Sequence, residues 1–495
     1  MQINILKVLA KQLSRKMKKA IPFIIILLMA SSCKVGRFVY YNFADITDHK
    51  VFPKRIIQND SSNVFYFENS IDGNFKFKMT DGSSFEDFLE GNHTVAFLVI
   101  QNDTIKYQNY FKGYDESSVV ASFSMAKSFT SFLIGCAIED KLIASVNEPV
   151  TNYIPELKDN GFDQVSIENL LQMTSGLKFN ESYVNPFGHA ATFYYGRHLE
   201  KATLRLKLEE EPGTRMRYLS GDTQLLGLIL DRALKDKTIS AYLEEKLWTK
   251  TGMQYEASWS IDKKKNGIEK TFCCLNATAI DFAKFGRLYL NEGHWEGQQL
   301  VSKDWVKQST KTDTLNGSYE GYQYQWWIPN DKGDFIAEGI LGQFIYVSPS
   351  ENLIIVRLGA KYGNVDWESA FEKIKEVLIK TEQRSALRSK IERLEKEMLN
   401  YIEPEFSAYD KTSVEECISV LNEHVEQTNN CTSKDEALKI VEKTVLKLND
   451  LNKKTNYVLI ETARREKIAN IIIMAGYLKG FNSKDEDITE EWREW

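Results

Sequence analysis

Histidine and cysteine are scarce in this chain, six of each among 495 residues. The histidines fall at no metal-ligand spacing, and His189 and His198 read as ordinary polar residues, so neither a metal nor a cofactor is expected. Cys33 belongs to an N-terminal signal considered below. The other five cysteines, Cys136, Cys273, Cys274, Cys417 and Cys431, are an odd, sparse set that builds no disulfide framework. Cys136 reads as a small core residue on an apolar helix. Cys273 and Cys274 point to opposite sides of an extended segment, which argues against a zinc pair. Only Cys417 and Cys431 are open to a bridge, and nothing in their spacing demands one. A long basic stripe is missing too, and a net charge of -6 speaks against nucleic acid as a partner. There is no short-period repeat and no low-complexity tract. What remains, at 43% hydrophobic and 12% aromatic residues, is the composition of a globular protein long enough for two or three domains.

No apolar run reaches the length of a comfortable membrane span; Ile21–Ala30 is too short. Lys16, Lys18 and Lys19 precede it and Ser31-Ser32-Cys33 follow it, the basic, apolar and small-residue parts of a secretory signal. A cysteine directly after the small residues resembles the lipobox of bacterial lipoproteins, in which that cysteine is lipidated. Residues 1–32 are therefore read as a signal peptide, with Met17 the more ordinary start, and Cys33 as the lipid-bearing residue of a membrane-anchored protein of the bacterial cell envelope. An uncleaved signal anchor and a protein soluble after cleavage stay open.

Residues 33–85 read as an aromatic N-terminal arm with strand-like pieces such as Val64–Glu68. Alternation in Val95–Gln101 and Thr104–Phe111 around Asn102-Asp103 predicts a β-hairpin. An apolar helix from Ser124 to Ile138 follows. Residues 139–316 read mostly as helices and loops, with helices at Ile167–Met173, Thr223–Leu234 and Ala279–Leu290. Strands return at Tyr322–Ile328, Gln343–Val347 and Leu353–Leu358, and a helix from Trp367 to Ile379 closes the unit. Strands at both ends around a helical middle predict an α+β domain over 86–380: an antiparallel β-sheet flanked by helices, with a helical subdomain. Residues 381–495 read as all-α. Leu387, Ile391, Leu394 and Met398 form a coiled-coil-like stripe, Pro404 breaks it, and Ser433 with Glu436 opens the helix Ala437–Leu448. Ile468–Leu478 reads as a buried helix. This region carries no catalytic constellation and is read as a helical module that packs or binds an unknown protein.

The chemistry lies at Ser124-Met125-Ala126-Lys127. Serine must be activated by a neighbouring base, and a lysine three residues on shares its helix face. A lysine kept from water has a lowered pKa and can take the serine proton. Downstream, Tyr218 in Tyr218-Leu219-Ser220 sits just before a helix; a phenol beside an ammonium ionises more easily, so Tyr218 can act as base or proton relay. Gly339-Ile340-Leu341-Gly342-Gln343 leads into a strand where backbone N–H groups can face a substrate.

In this order and spacing these elements resemble the serine β-lactamase-like family, which includes class C β-lactamases, D-alanyl-D-alanine carboxypeptidases, esterases and the 6-aminohexanoate-oligomer hydrolases. Leu170-Leu171-Gln172-Met173-Thr174-Ser175-Gly176-Leu177 matches the family's L-L-x-x-T-S-G-L stretch. Trp248 with Gly252-Met253, and Asn276–Gly286, match two further motifs, the first without its proline. The resemblance implies Ser124 as acylated nucleophile, Lys127 as base and Tyr218 as relay, with N–H groups of Ser124 and Ile340 as the oxyanion hole beside Gly339 and Gly342. It implies that Tyr183 touches the substrate amide, and the hairpin is most similar to the oligomer-hydrolase and esterase branch. Two departures stand out. Ser220 replaces the usual Asn after the tyrosine, and Ala337-Glu338 replaces the cation that meets a substrate carboxylate in β-lactamases and peptidases. The function expected is a lipid-anchored serine hydrolase of a small-molecule or peptide ester or amide. A non-catalytic binding or sensor module, a scaffold whose main function lies in residues 381–495, and a cell-wall peptidase or β-lactamase stay open.

Overall fold

The computed structural model describes residues 34–41, 43–69, 82–402 and 409–495. Cys33, the apolar run before it and Pro404 lie outside them. Among the described residues no helix is long and apolar enough to cross a membrane.

The sheet closes from both ends of the domain. Strand Leu353–Gly359 lies antiparallel beside Thr94–Gln101, with Ile355 opposite Val99. Around this pair an eight-stranded sheet is completed by Thr104–Tyr110 and a short parallel edge, Glu68–Asn69, on one side. On the other follow Gln343–Ser348, Phe335–Gly339, Trp326–Trp327 and Tyr322–Gln323. The hairpin turns at Asn102 and Asp103, both with positive φ (51° and 56°), the backbone a two-residue turn of matching twist requires.

Two expectations are corrected. The strand at Thr94–Gln101 is buried along its whole length instead of alternating, because both sheet faces are covered. Leu98, Ile100, Ile345 and Val356 face the main core. Phe97, Phe344 and Tyr346 face the other side, where Phe371 lies between 5.4 and 6.4 Å from their rings. Tyr322–Ile328 is not one strand but a tight hairpin, reversed at Tyr324 and Gln325 with φ of 38° and 70°. Residues 139–316 are mostly helices and loops, as expected, and also hold short strands: Ala257–Ser260 and Leu275–Ala277 build a second, four-stranded sheet with Lys54–Ile57 and Val120–Ala121. Helical periodicity hid these pieces, which are too short to show alternation.

The helices Ile167–Leu171, Ser220–Leu234 and Ala279–Leu290 lie where the apolar spacing places them. Phe285 on the last of these stacks on Phe129, ring centres 3.7 Å apart, and so joins it to the helix Ala126–Glu139. Two sequence motifs prove to be partners. Asp281 accepts the backbone N–H groups of Gln254 and Tyr255, and Lys284 donates to the carbonyl of Gly252, tying the Trp248–Met253 loop to the following motif's helix.

The chain divides into two compact units, after Phe371, inside a single 34-residue helix, Trp367–Asn400. The second unit adds helices Lys411–Asn430, Lys434–Lys454 and Thr462–Lys479. Its core takes up the stripe Leu387, Ile391, Leu394 and Met398, packed with Leu421, Val445 and Ile472. Ser433 caps its helix by accepting the N–H of Glu436. Cys417 and Cys431 are buried free thiols, and the disulfide joins Cys273 to Cys274 instead. The reason is local: Cys274 has φ +69°, so the segment turns and neighbouring side chains converge.

Candidate active site

The second sheet delivers the nucleophile. Strand Val120–Ala121 pairs with Leu275–Ala277, and the N–H of Ser122 donates to the Leu275 carbonyl. The chain then breaks upward at Phe123, whose φ of +46° is unusual for a bulky residue and of the kind held in place at functional sites. A 3₁₀ turn Phe123–Met125 precedes the α-helix, so the helix begins at Ala126, two residues later than the spacing suggested. Of residues 121–130 Ser124 alone is not fully buried.

Lys127, 1% exposed, brings Nζ to 3.0 Å from Ser124 Oγ. It also reaches Ser220 Oγ at 3.2 Å and the Phe272 carbonyl at 2.9 Å. Burial of the ammonium pulls its pKa down to about 8, against the opposing pull of Glu181 and Asp222. In the neutral amine two N–H groups satisfy Ser220 and Phe272, and the lone pair faces the serine hydroxyl. The Tyr218 hydroxyl lies beside Ser124, which acts on its phenol, and its ring lies 5.0 Å from Lys127 Nζ. Here the expectation of an easily ionised phenol is corrected. Desolvation, with Glu181 and Glu338 adding to it, raises the Tyr218 pKa far above its ordinary value against the lowering effect of Ser124, so Tyr218 is a neutral O–H that can pass protons but cannot serve as a standing phenolate.

Ser220 opens helix Ser220–Leu234 and is 2% exposed. Its hydroxyl donates to Glu181 Oε1 at 2.6 Å and its N–H to Glu181 Oε2 at 2.8 Å. The Tyr183 hydroxyl donates to the same carboxylate at 2.8 Å, so Tyr183 reaches the site with its proton already engaged. Glu181 had no sequence signal beyond lying two residues before Tyr183; its partner Ser220 is 39 positions away. Gln325 was missed as well. At 2% exposure, its side chain donates to the carbonyls of Leu170 and Leu171 and accepts from Thr223, and its own carbonyl accepts from Ser128. It thereby holds both helices that carry the site. The Thr174-Ser175-Gly176 motif serves the same end, with Ser175 donating to Asp222 at 2.6 Å.

The hairpin Phe335–Gly339/Gln343–Ser348 closes the site. A Cβ on Gly339 would lie 2.3 Å from the Ser122 carbonyl and 3.1 Å from the Ser124 nitrogen, so only glycine lets this strand end meet the serine turn. Ile340 follows at the edge of both cavities that Ser124 lines. Gly342 does not line them. Its φ of +81° turns the hairpin, and Arg357 donates to its carbonyl at 2.6 Å. Ala337, at the position of the expected cation, is 1% exposed in the core, whereas Glu338 lines a cavity with Ser124 and Tyr218.

An antiparallel sheet between helices, with a serine, lysine and tyrosine gathered at a helix start, defines a β-lactamase and penicillin-binding-protein type of fold. Residues 83–379 match the family described as Beta-lactamase, and the chain belongs to that family. It is 27% identical over 301 residues to a 6-aminohexanoate-dimer hydrolase of Paenarthrobacter ureafaciens, covering 56% of this chain and 74% of the relative. A β-lactamase of Pseudomonas fluorescens is 26% identical over 171 residues, 32% of this chain and 44% of that protein. Among solved structures, a protein of Bacillus anthracis provisionally named a 6-aminohexanoate-dimer hydrolase superposes with a TM-score of 0.61 at 25% identity, covering 69% of this chain and 95% of that one. Residues 380–495 lie outside the family match.

Proposed function

We propose that the protein is a serine hydrolase that cleaves an ester or amide through an acyl-Ser124 intermediate. The observation that carries this reading is the buried Lys127 amine, 3.0 Å from the Ser124 hydroxyl, with its pKa pulled down to about 8 by desolvation. Neutral Lys127 takes the serine proton while Oγ bonds to the acyl carbon. The N–H groups of Ser124 and Ile340 receive the negative oxygen. The bond to the leaving oxygen or nitrogen then breaks, and Tyr218 relays the proton to that atom. Water repeats the sequence in reverse, releasing the acid and restoring Ser124. Cleavage by the relative named 6-aminohexanoate-dimer hydrolase supports an amide or ester substrate. Ala337 stands where a cation would meet a β-lactam or D-alanyl carboxylate, and the Glu338 carboxylate that lines the site next to it weighs against those substrates.

Intact-mass spectrometry after incubation with a fluorophosphonate tests the reading. One adduct on Ser124, lost in Ser124→Ala, and no adduct from a penicillin are expected. Folded protein that stays unlabelled by either reagent would sink it.

The same reading sets the enzyme at the bacterial cell envelope, tethered by lipid on Cys33; the support is the basic, apolar and small-residue order of residues 16–33. Cells fed a labelled fatty acid should label the wild-type protein and not Cys33→Ser. Equal labelling of both would remove the anchor.

A further inference from the structure

The cleft divides at Ser124, and the two sides differ in chemistry. Ser124, Tyr183, Ile340 and Leu341 line both cavities, but Tyr218 lines only one, of about 350 Å³. A residue that hands a proton to the departing atom stands on the leaving-group side. Resting on the hydrolytic reading above, this assigns the Tyr218 cavity to the alcohol or amine and the other, of about 270 Å³, to the acyl group.

The acyl cavity is walled by Phe123, Ala190, Ala191, Tyr194 and Phe272, and no charged side chain lines it. Its wall is fixed in place: Lys270, buried against the Phe52 ring, donates to the Tyr194 carbonyl. The leaving-group cavity is different. Trp327, Tyr362, Tyr183 and Tyr218 surround one charged group, the carboxylate of Glu338. Trp327 stacks on Tyr218 with ring centres 5.4 Å apart. Glu338 shares this cavity with Tyr362 and has Glu368 as its charged neighbour; no cation is among the groups acting on it. Burial and Glu368 together push its carboxyl up to about 7. A cation entering here meets a carboxylate short of positive charge and the faces of several aromatic rings, the surroundings that bind ammonium groups.

We propose that the Tyr218 side of the site receives an ammonium group, so that the substrates join an apolar acyl chain to an alcohol or amine that carries a cation. An anionic leaving group meets Glu338 and is turned away.

The test compares hexanoylcholine with its neutral isostere 3,3-dimethylbutyl hexanoate, using the full chain without its signal segment. The wild type should prefer the cationic ester by about tenfold in kcat/KM, and Glu338→Gln should bring the ratio to within about twofold of one. A wild-type ratio at or below one, or a ratio unchanged by Glu338→Gln, overturns the proposal while leaving the hydrolase reading standing. No turnover of either ester, with no fluorophosphonate adduct on folded protein, fails the hydrolase reading itself and this proposal with it. A second measurement is independent of turnover: titration of Ser124→Ala with hexyltrimethylammonium and with hexyl sulfate. Binding of the cation alone, lost when Glu338→Gln is added, supports the proposal; equal binding of both ions overturns it.

Discussion

Ser124→Ala is expected to lower kcat by about five orders of magnitude while the protein stays folded, because no other group can carry the acyl intermediate. The fold loses little with the hydroxyl. Its partners are Lys127 and Tyr218, and Lys127 keeps Ser220 and the Phe272 carbonyl. Buried Lys127 keeps two partners, and only the half-buried Tyr218 hydroxyl, which lines a cavity, gives one up, so the stability cost stays at about 1 kcal/mol. Hydrolysis of a chromogenic ester and a thermal melt of the same sample check both halves. Turnover within about tenfold of wild type would remove Ser124 from the chemistry.

Lys127→Met should lower kcat/KM by about 10³-fold, the middle of the range for losing a positioned base. Methionine fills much of the lysine's volume in this fully buried position, so lost activity is not a report of a collapsed core. Lys127→Arg should be no better, since a guanidinium stays charged and cannot take the serine proton. In the wild type the sign with pH follows from the neutral amine being the active form. Below about 8 the lysine is increasingly protonated and kcat/KM falls; above it, the rate levels off. The substrate for this profile is a neutral ester, so that ionisation of Glu338, whose carboxyl is pushed to about 7, alters binding as little as the chemistry allows. A flat profile between about pH 6 and 9, or Lys127→Met retaining a tenth of the activity, would show that another group is the base.

The two units pose different questions. The family match ends at residue 379, close to the division of the chain after Phe371. The helical unit spends its apolar stripe on its own core, with Leu387 and Ile391 each 2% exposed. His424 inside it is held neutral, its pKa lowered to about 4 by burial. Nothing in that core takes part in the chemistry proposed for Ser124.

What the sequence determined by itself was local. Ser124 and Lys127 are one helical turn apart, Asn102-Asp103 dictates a tight hairpin, and Ser433 caps the helix Lys434–Lys454. Short-range geometry fixes such features wherever the segment ends up, and motif order along the chain added the family and the α+β plan. Tertiary structure decided what depends on distant groups or on exclusion of water. Glu181 meets Ser220, and Gln325 joins two helices that have no neighbouring sequence in common. Cys273 and Cys274 converge because the backbone turns there. Tyr218 keeps its proton because it is desolvated, a property no motif contains, since desolvation is set by everything packed around a group and not by its neighbours in the chain.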